Sequence, residues 1–137
     1  MSSTNVELVQ ALLGAYLTRD DETLRSLIAP DGEIYGDAGI INAGTYHGFE
    51  GFQQWIRQWE EAWADVSYDL GENIEIGDSF IVVPAHIVGK GVGSGVEIDS
   101  TFGWMFQFRD GRAVRFHTYA AVDEALKAAR RLSEDGE

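Results

Sequence analysis

The chain has no cysteine, only two prolines and few positive charges among its 137 residues. Without cysteine there is neither a disulfide framework nor thiol chemistry, which is typical of cytoplasmic proteins. Ten lysines and arginines stand against 23 aspartates and glutamates, and the net charge of −13 argues against binding to nucleic acid or anionic membranes. No apolar run approaches the roughly 18 residues that a membrane-spanning helix needs. The start, MSSTNVELVQ, lacks the features of a signal peptide, so we expect a cytoplasmic protein.

Apolar and aromatic residues, in contrast, are plentiful. Hydrophobic residues make up 45% of the chain and aromatic residues 12%, which is typical of a globular protein and excludes a disordered one. The length suffices for one hydrophobic core but not for a second domain with its own core. We therefore expect residues 1–137 to form a single domain.

The most distinctive pattern is a run of aromatic residues near the C-terminus. Phe102, Trp104, Phe106 and Phe108 recur at every second position, which places four aromatic rings on one face of a strand. The turn signal Asp110-Gly111 then leads into a second strand. A strand with this many aromatic rings on one face either packs a dense core or lines a hydrophobic pocket.

The remaining periodicities predict an α+β fold. They indicate a helix over about residues 5–18, a short second helix capped by Asp20 or Asp21, and a turn at Pro30-Asp31-Gly32. A short strand over 33–37 precedes a third helix whose apolar stripe consists of Phe52, Trp55, Ile56, Trp59 and Trp63. Strands are expected at about 66–76, 79–90, 96–108 and 112–120, in a mostly antiparallel sheet, followed by a short C-terminal helix.

The strand over 79–90 is apolar on both faces. We assign one face, with Val82 and His86, to the interior, and the opposite face to the outside of the sheet. A strand that is apolar on both faces must be covered on both, and a partner chain is the simplest second cover. We therefore expect a homodimer through an outer face formed by Ile81, Val83, Ile87, Met105, Arg115, His117 and Tyr119.

Three local sequences carry a resemblance to a known family. They are Tyr46-His47-Gly48 before the tryptophan-rich helix, the hairpin GKGVGSGVEI, and RDGRAVRFHTY running into VDEALKAA. Together with the order of elements, they resemble the SnoaL-like branch of the nuclear transport factor 2-like superfamily over essentially the whole chain. The resemblance implies a cone-shaped sheet wrapped around three N-terminal helices and a deep hydrophobic cavity. Activities in the family include ketosteroid isomerisation, polyketide cyclisation and epoxide hydrolysis.

The family's catalytic residues are only partly present. Tyr16 matches the tyrosine that donates to the oxyanion in ketosteroid isomerases, whereas Gly36 stands at the place of their general base, with Asp37 one residue later. Trp104 stands where those enzymes have a second oxyanion donor. Thr118 replaces the catalytic aspartate of the epoxide-hydrolase pattern. The resemblance therefore implies the fold and leaves the reaction open.

Within the expected cavity, His86 is our first candidate for proton transfer, with Tyr16 or Asp37 completing a catalytic set. The alternative is that His86 and Tyr16 are core residues and that Asp37 is a turn residue. The expected ligand-binding residues are Trp55, Trp59, Trp104, Phe116 and Thr118, and four tryptophans favour a flat aromatic ligand. We expect no metal and no cofactor, because the histidines lack metal-ligand spacing and no nucleotide-binding motif is present.

Two classes of function follow from these observations. The first is a cofactor-independent isomerase, cyclase or hydrolase that acts on a hydrophobic small molecule. The alternative is a non-catalytic protein that binds such a molecule, or a dimerisation module. His86, Tyr16 and Asp37 within hydrogen-bonding reach of one another favour the enzyme, whereas a cavity filled by aromatic side chains favours the module.

Overall fold

Within residues 2–36 and 44–134, which the computed structural model describes, the chain forms four helices and seven strands. The helices are α1 (Ser2–Thr18), α2 (Asp21–Leu27), α3 (Gly48–Ala62) and α4 (Val122–Glu134). The strands are β1 (Ile28–Gly36), β2 (Gly44–His47), β3 (Trp63–Leu70), β4 (Ile74–Ile76), β5 (Phe80–Gly91), β6 (Glu97–Arg109) and β7 (Arg112–Tyr119).

The strands form one sheet in the order β2-β1-β7-β6-β5-β3, with β4 paired to β5. Only the pairing of β1 with β7 is parallel among the described strand pairs, and the others are antiparallel. Three helices precede most of this curved sheet and a fourth closes the chain. The predicted α+β class, with a mostly antiparallel sheet, is confirmed.

Several boundaries differ from the predictions. Pro30, Asp31 and Gly32 lie inside β1, where the pairing with β7 is irregular between Ile28 and Glu33, so that the proline is outside the regular ladder. Strand β2 was not predicted, and the expected strand over 66–76 is split into β3 and β4. The predicted capping of α2 is confirmed, since the backbone N–H of Thr23 donates to Asp20 Oδ1 at 3.2 Å.

One face of the sheet, here called the inner face, packs on α1 and α3. The apolar stripe of α3 contributes Phe52, Trp55, Ile56 and Trp59 to this core, as its helical spacing predicts. The sheet contributes its most apolar residues, which are Ile81, Val83, Ala85, Ile87, Phe102, Trp104, Phe106, Phe108 and Phe116. Most of the large aromatic side chains in the described part of the chain therefore converge between the helices and the inner face.

The opposite, outer face is partly covered by α4. Ala125, Ala128 and Ala129 of this helix form a second buried cluster with sheet residues that include Phe80, Val82 and Met105. Gly103 lets the helix approach closely, because a Cβ atom at this position would lie 2.6 Å from the Cβ of Ala125. None of the helices in the described part of the chain combines the length and apolar character that crossing a bilayer requires.

The predicted dimer face is wrong for four of its residues. Ile81, Val83 and Ile87 lie in the inner core, and Met105 is completely buried beneath α4. The outer face of β5 is thus covered by α4 of the same chain. Self-association remains a prediction, and of the residues named for it Arg115, His117 and Tyr119 are the ones that are partly exposed on the outer face.

Candidate functional site

The aromatic residues of the inner core enclose a small cavity that we call the inner pocket. Its lining comes from α1, α3 and four strands and consists of Tyr16, Trp55, Trp59, Tyr68, Ile87, Phe102, Trp104 and Thr118. The free volume is only about 10 Å³, which is roughly the space of one water molecule. The inner pocket is therefore nearly filled by its own side chains.

Ring packing explains why so little space is left. Trp55 and Trp59 are stacked, with ring centroids 6.3 Å apart and an interplanar angle of 10°. The ring of Trp104 packs edge to face against Tyr16, with ring centroids 6.5 Å apart, and against Phe116, with ring centroids 6.1 Å apart. These are the offset and edge-to-face geometries that aromatic pairs prefer, so the lining is well packed without a ligand.

A hydrogen-bonded network lies within this aromatic lining. The hydroxyl groups of Tyr16 and Tyr68 are 2.7 Å apart, and Trp59 Nε1 donates to the hydroxyl oxygen of Tyr68 at 3.0 Å. The two phenols carry two O–H protons, and only one of them is used between the two oxygens. Within the described residues the other proton has no acceptor, whichever phenol donates to its neighbour. One phenolic donor is therefore left for an oxygen atom of a ligand.

The titration of Tyr16 supports its role as a donor. Burial raises the pKa of the Tyr16 phenol far above its usual value, and the neighbouring Tyr68 raises it further. The guanidinium of Arg19, 5.7 Å from the ring centroid, lowers this pKa only in part. Tyr16 consequently stays protonated at physiological pH, and it can donate a hydrogen bond but cannot act as a base.

Thr118 adds a further hydroxyl group to the lining. It lies directly opposite Trp104 on the neighbouring strand and is only 4% exposed. Its Oγ1 atom is buried and has no hydrogen-bond partner among the described residues. Such a group is costly to bury, so its presence in an otherwise apolar lining is consistent with a site that receives a polar ligand atom.

We predict that replacing Thr118 by valine stabilises the protein. The two side chains have nearly the same shape, and the change removes a buried hydroxyl that lacks a partner, a gain of about 1 kcal/mol or more. Urea unfolding of both proteins measures the difference in the free energy of unfolding. A Thr118→Val variant less stable than the wild type would show that the hydroxyl is satisfied in solution.

The prediction that His86 faces the cavity is wrong. Its neighbours Ala85 and Ile87 point into the inner core, so His86 lies on the outer face, where its side chain is 43% exposed. There its Nε2 atom lies 2.7 Å from Asp99 Oδ1. The predicted catalytic set is therefore not assembled, and Asp37, its third member, lies outside the described residues.

The other predicted site residues do come together. Tyr16, Trp55, Trp59, Trp104 and Thr118 line the inner pocket, and Phe116 packs against Trp55 and Trp104 at its wall. Sequence reasoning missed Tyr68, which joins the phenol of Tyr16 to the indole of Trp59. The alternation of Val66, Tyr68 and Leu70 along β3 is the signal that would have placed it inside.

Comparison with known proteins agrees with this architecture. The family model of the SnoaL-like domain matches residues 9–116, and the chain belongs to this family. No curated protein matches the sequence significantly.

Solved structures show the same fold. An NTF2-like protein of unknown function from Burkholderia pseudomallei K96243 is 26% identical, with a TM-score of 0.74 over 90% of this chain and 95% of that one. TerC, co-crystallised with polyporic acid, is 22% identical, with a TM-score of 0.73 over 92% and 98% of the two chains. IdmH from Streptomyces antibioticus, a candidate polyketide cyclase, is 22% identical, with a TM-score of 0.66 over 91% and 96%.

Proposed function

We propose that the protein binds a flat, largely apolar small molecule in the inner pocket and polarises one of its oxygen atoms. The observation that carries this proposal is the network of Tyr16, Tyr68 and Trp59, which leaves one phenolic O–H proton without an acceptor in the described residues. A carbonyl group is the acceptor that fits best, because a buried, protonated phenol stabilises negative charge that develops on its oxygen. The aromatic lining supplies stacking surface for the remainder of the ligand.

The chemistry that suits this arrangement is cofactor-independent isomerisation or cyclisation through an enolate. In such a reaction a base takes a proton from the carbon next to the carbonyl group, the carbonyl oxygen gains the negative charge, and a hydrogen bond from the phenol lowers the barrier. The described lining of the inner pocket supplies the hydrogen bond and not the base, so the proton is taken by water or by a basic group of the ligand itself. The SnoaL-like family and the candidate polyketide cyclase among the structural neighbours support this class. The TerC structure with polyporic acid supports a small-molecule pocket in this fold.

A second candidate function is a non-catalytic interaction module with a closed core. It is favoured by the free volume of about 10 Å³, which is too small for any organic ligand. Under the first proposal the aromatic side chains must move apart when a ligand enters. Because Trp55, Trp59 and Trp104 line the inner pocket, such a movement would change the tryptophan fluorescence of the protein.

A matched pair of ligands tests the proposal. The ketone 9-fluorenone and the hydrocarbon fluorene have nearly the same shape, but only the ketone has an oxygen atom that accepts a hydrogen bond. We expect fluorescence titration to show binding of both to the wild type. Replacing both Tyr16 and Tyr68 by phenylalanine should then reduce the preference for the ketone by about tenfold, the value of one good hydrogen bond.

The double variant is needed because either phenol can donate when the other is missing. Tyr46→Phe is the control. The hydroxyl group of Tyr46 donates to Gln58 Oε1 at 2.9 Å, and Tyr46 does not line the inner pocket. The Tyr46→Phe variant should therefore prefer the ketone as strongly as the wild type does. An unchanged preference in the double variant would refute the role of the phenols. Failure of both ligands to bind would favour the closed module.

A further inference from the structure

A second concave surface lies apart from the inner pocket. It is an open groove of about 800 Å³ on the outer side, formed where β1, the β6–β7 hairpin and the end of α4 meet. We call it the hairpin groove, and its lining includes Gln107, Arg109, Arg112, Val114, Arg115 and Leu132. A groove of this size accommodates a small molecule without movement of the protein.

Three positive charges converge on this groove. Arg109 and Arg112 are directly paired across the hairpin, and Arg115 is paired with Gln107 further along it, beyond the pair of Phe108 and Ala113. The whole chain has only ten lysines and arginines and a net charge of −13, so three arginines in one groove are a notable concentration. Like charges placed opposite each other destabilise a hairpin, and a bound anion would remove that repulsion.

The three guanidinium groups are not neutralised by ion pairs within the described residues. Glu33 is opposite Arg115 on the neighbouring strand, but its Oε1 atom accepts a hydrogen bond of 2.6 Å from the Tyr35 hydroxyl. Asp31, Glu33 and Asp110 all line the groove, so its three carboxylates balance the charge of the three arginines. Recognition there must therefore depend on the hydrogen-bonding geometry of the guanidinium groups rather than on a strong positive field.

The side-chain amide of Gln107 provides the second observation. Gln107 is 4% exposed and lines the hairpin groove, yet its side chain forms no hydrogen bond with any residue that the structure describes. Its amide atoms are not among the fully buried polar atoms that lack a partner, so they are reached from the groove, and a ligand there can supply the hydrogen bonds that the described residues do not. Its NH₂ group can donate to the same oxyanion that the arginines bind.

We propose that the hairpin groove is a second ligand site, specific for a small molecule with an oxyanion group, either phosphate or carboxylate. Arg109, Arg112 and Arg115 bind the oxyanion through paired N–H donors, and Gln107 donates from the floor of the groove. Val114 and Leu132 contact the less polar part of the molecule. The site does not depend on the function proposed for the inner pocket.

Isothermal titration calorimetry tests this site. The titrants are inorganic pyrophosphate and citrate, each at low ionic strength. We expect saturable binding of at least one of the two anions to the wild type. Arg112→Gln should weaken it at least about tenfold, which corresponds to one charge-assisted hydrogen bond, and Arg109→Gln/Arg112→Gln should abolish it. Arg57→Gln, on α3 and away from the groove, should bind as the wild type does.

The anion that binds, pyrophosphate or citrate, shows which oxyanion group the ligand carries. Binding of pyrophosphate alone indicates a phosphorylated ligand, binding of citrate alone indicates a carboxylate, and binding of both indicates the oxyanion chemistry that they share. Urea unfolding of each variant confirms that it is folded, as expected for exposed arginines. The absence of saturable binding to the wild type, or equal binding to the double variant, would overturn the proposal.

Discussion

Replacing Val83 by glutamate is expected to unfold the protein at room temperature. Val83 has no exposed surface and lies in the inner core, directly opposite Trp104 of the neighbouring strand. A carboxylate at this position has no charged partner, and burying it costs several kcal/mol, a large part of the stability of a small domain. Circular dichroism and urea unfolding measure the loss.

The matched control lies on the same strand. Val88 is 40% exposed on the outer face, so Val88→Glu places the same charge in water and should lower the free energy of unfolding by no more than about 1 kcal/mol, since the new carboxylate lies opposite Asp99. This comparison distinguishes the two possible orientations of β5. A Val83→Glu variant that stays folded while Val88→Glu unfolds would mean that the orientation of the strand is reversed.

The second large effect is expected at Gly103, where α4 lies on the sheet. A Cβ atom here would lie 2.6 Å from Ala125 Cβ and 3.0 Å from backbone atoms of Ala121 and Val122. Because backbone atoms cannot rotate away, Gly103→Ala must push the start of α4 off the sheet. We expect a loss of about 2–3 kcal/mol in the free energy of unfolding, measured with urea.

Gly14→Ala is the control for this substitution. Gly14 lies in α1 and has nothing within 4 Å of the added Cβ atom, so alanine should stabilise the helix by about 0.5–1 kcal/mol. Opposite signs for the two substitutions are the expected outcome. Equal stability of Gly103→Ala and the wild type would show that α4 does not pack at this distance in solution.

The parts of the fold that the sequence predicts best are those whose aromatic or apolar residues share one face. The stripe of α3 lies on one side of the helix, and the four aromatic residues of β6 lie on one face of a strand that is buried on both, so the inward faces of both elements follow from periodicity. The predicted residues Tyr16, Trp55, Trp59 and Trp104 therefore line the inner pocket. The alternation along β7 likewise predicts that Thr118 faces the inner pocket, because its neighbour His117 lies on the outer face.

Periodicity could not decide the orientation of β5, and the error in placing His86 follows from this. The strand is apolar on both faces, because one face packs on α3 and α1 and the other on α4. Alternation separates the two faces but does not show which one is inside. The pairing of Ile81 with Phe106 and of Val83 with Trp104 decides it, and this register is a property of the folded sheet.

The contact between Tyr16 and Tyr68 also could not be predicted from the sequence. The two residues are 52 positions apart and come from a helix and a strand, so no local spacing joins them. Tyr16 was a candidate through the helical spacing of the first helix and through family resemblance, whereas the donor left by the pair is a property of the assembled network. The hydrogen-bond arrangement at the site, unlike the aromatic character of its lining, depends on tertiary structure.

The most direct measurement of the central claim is the infrared carbonyl stretching frequency of 9-fluorenone bound to the protein. A hydrogen bond from a buried phenol lowers this frequency, because it stabilises charge on the oxygen in a site that excludes water. We predict a frequency below that of the ketone in a hydrocarbon solvent, which returns to the solvent value in Tyr16→Phe/Tyr68→Phe. A frequency that is the same in the wild type and the double variant would contradict the claim that the tyrosine pair polarises the ligand.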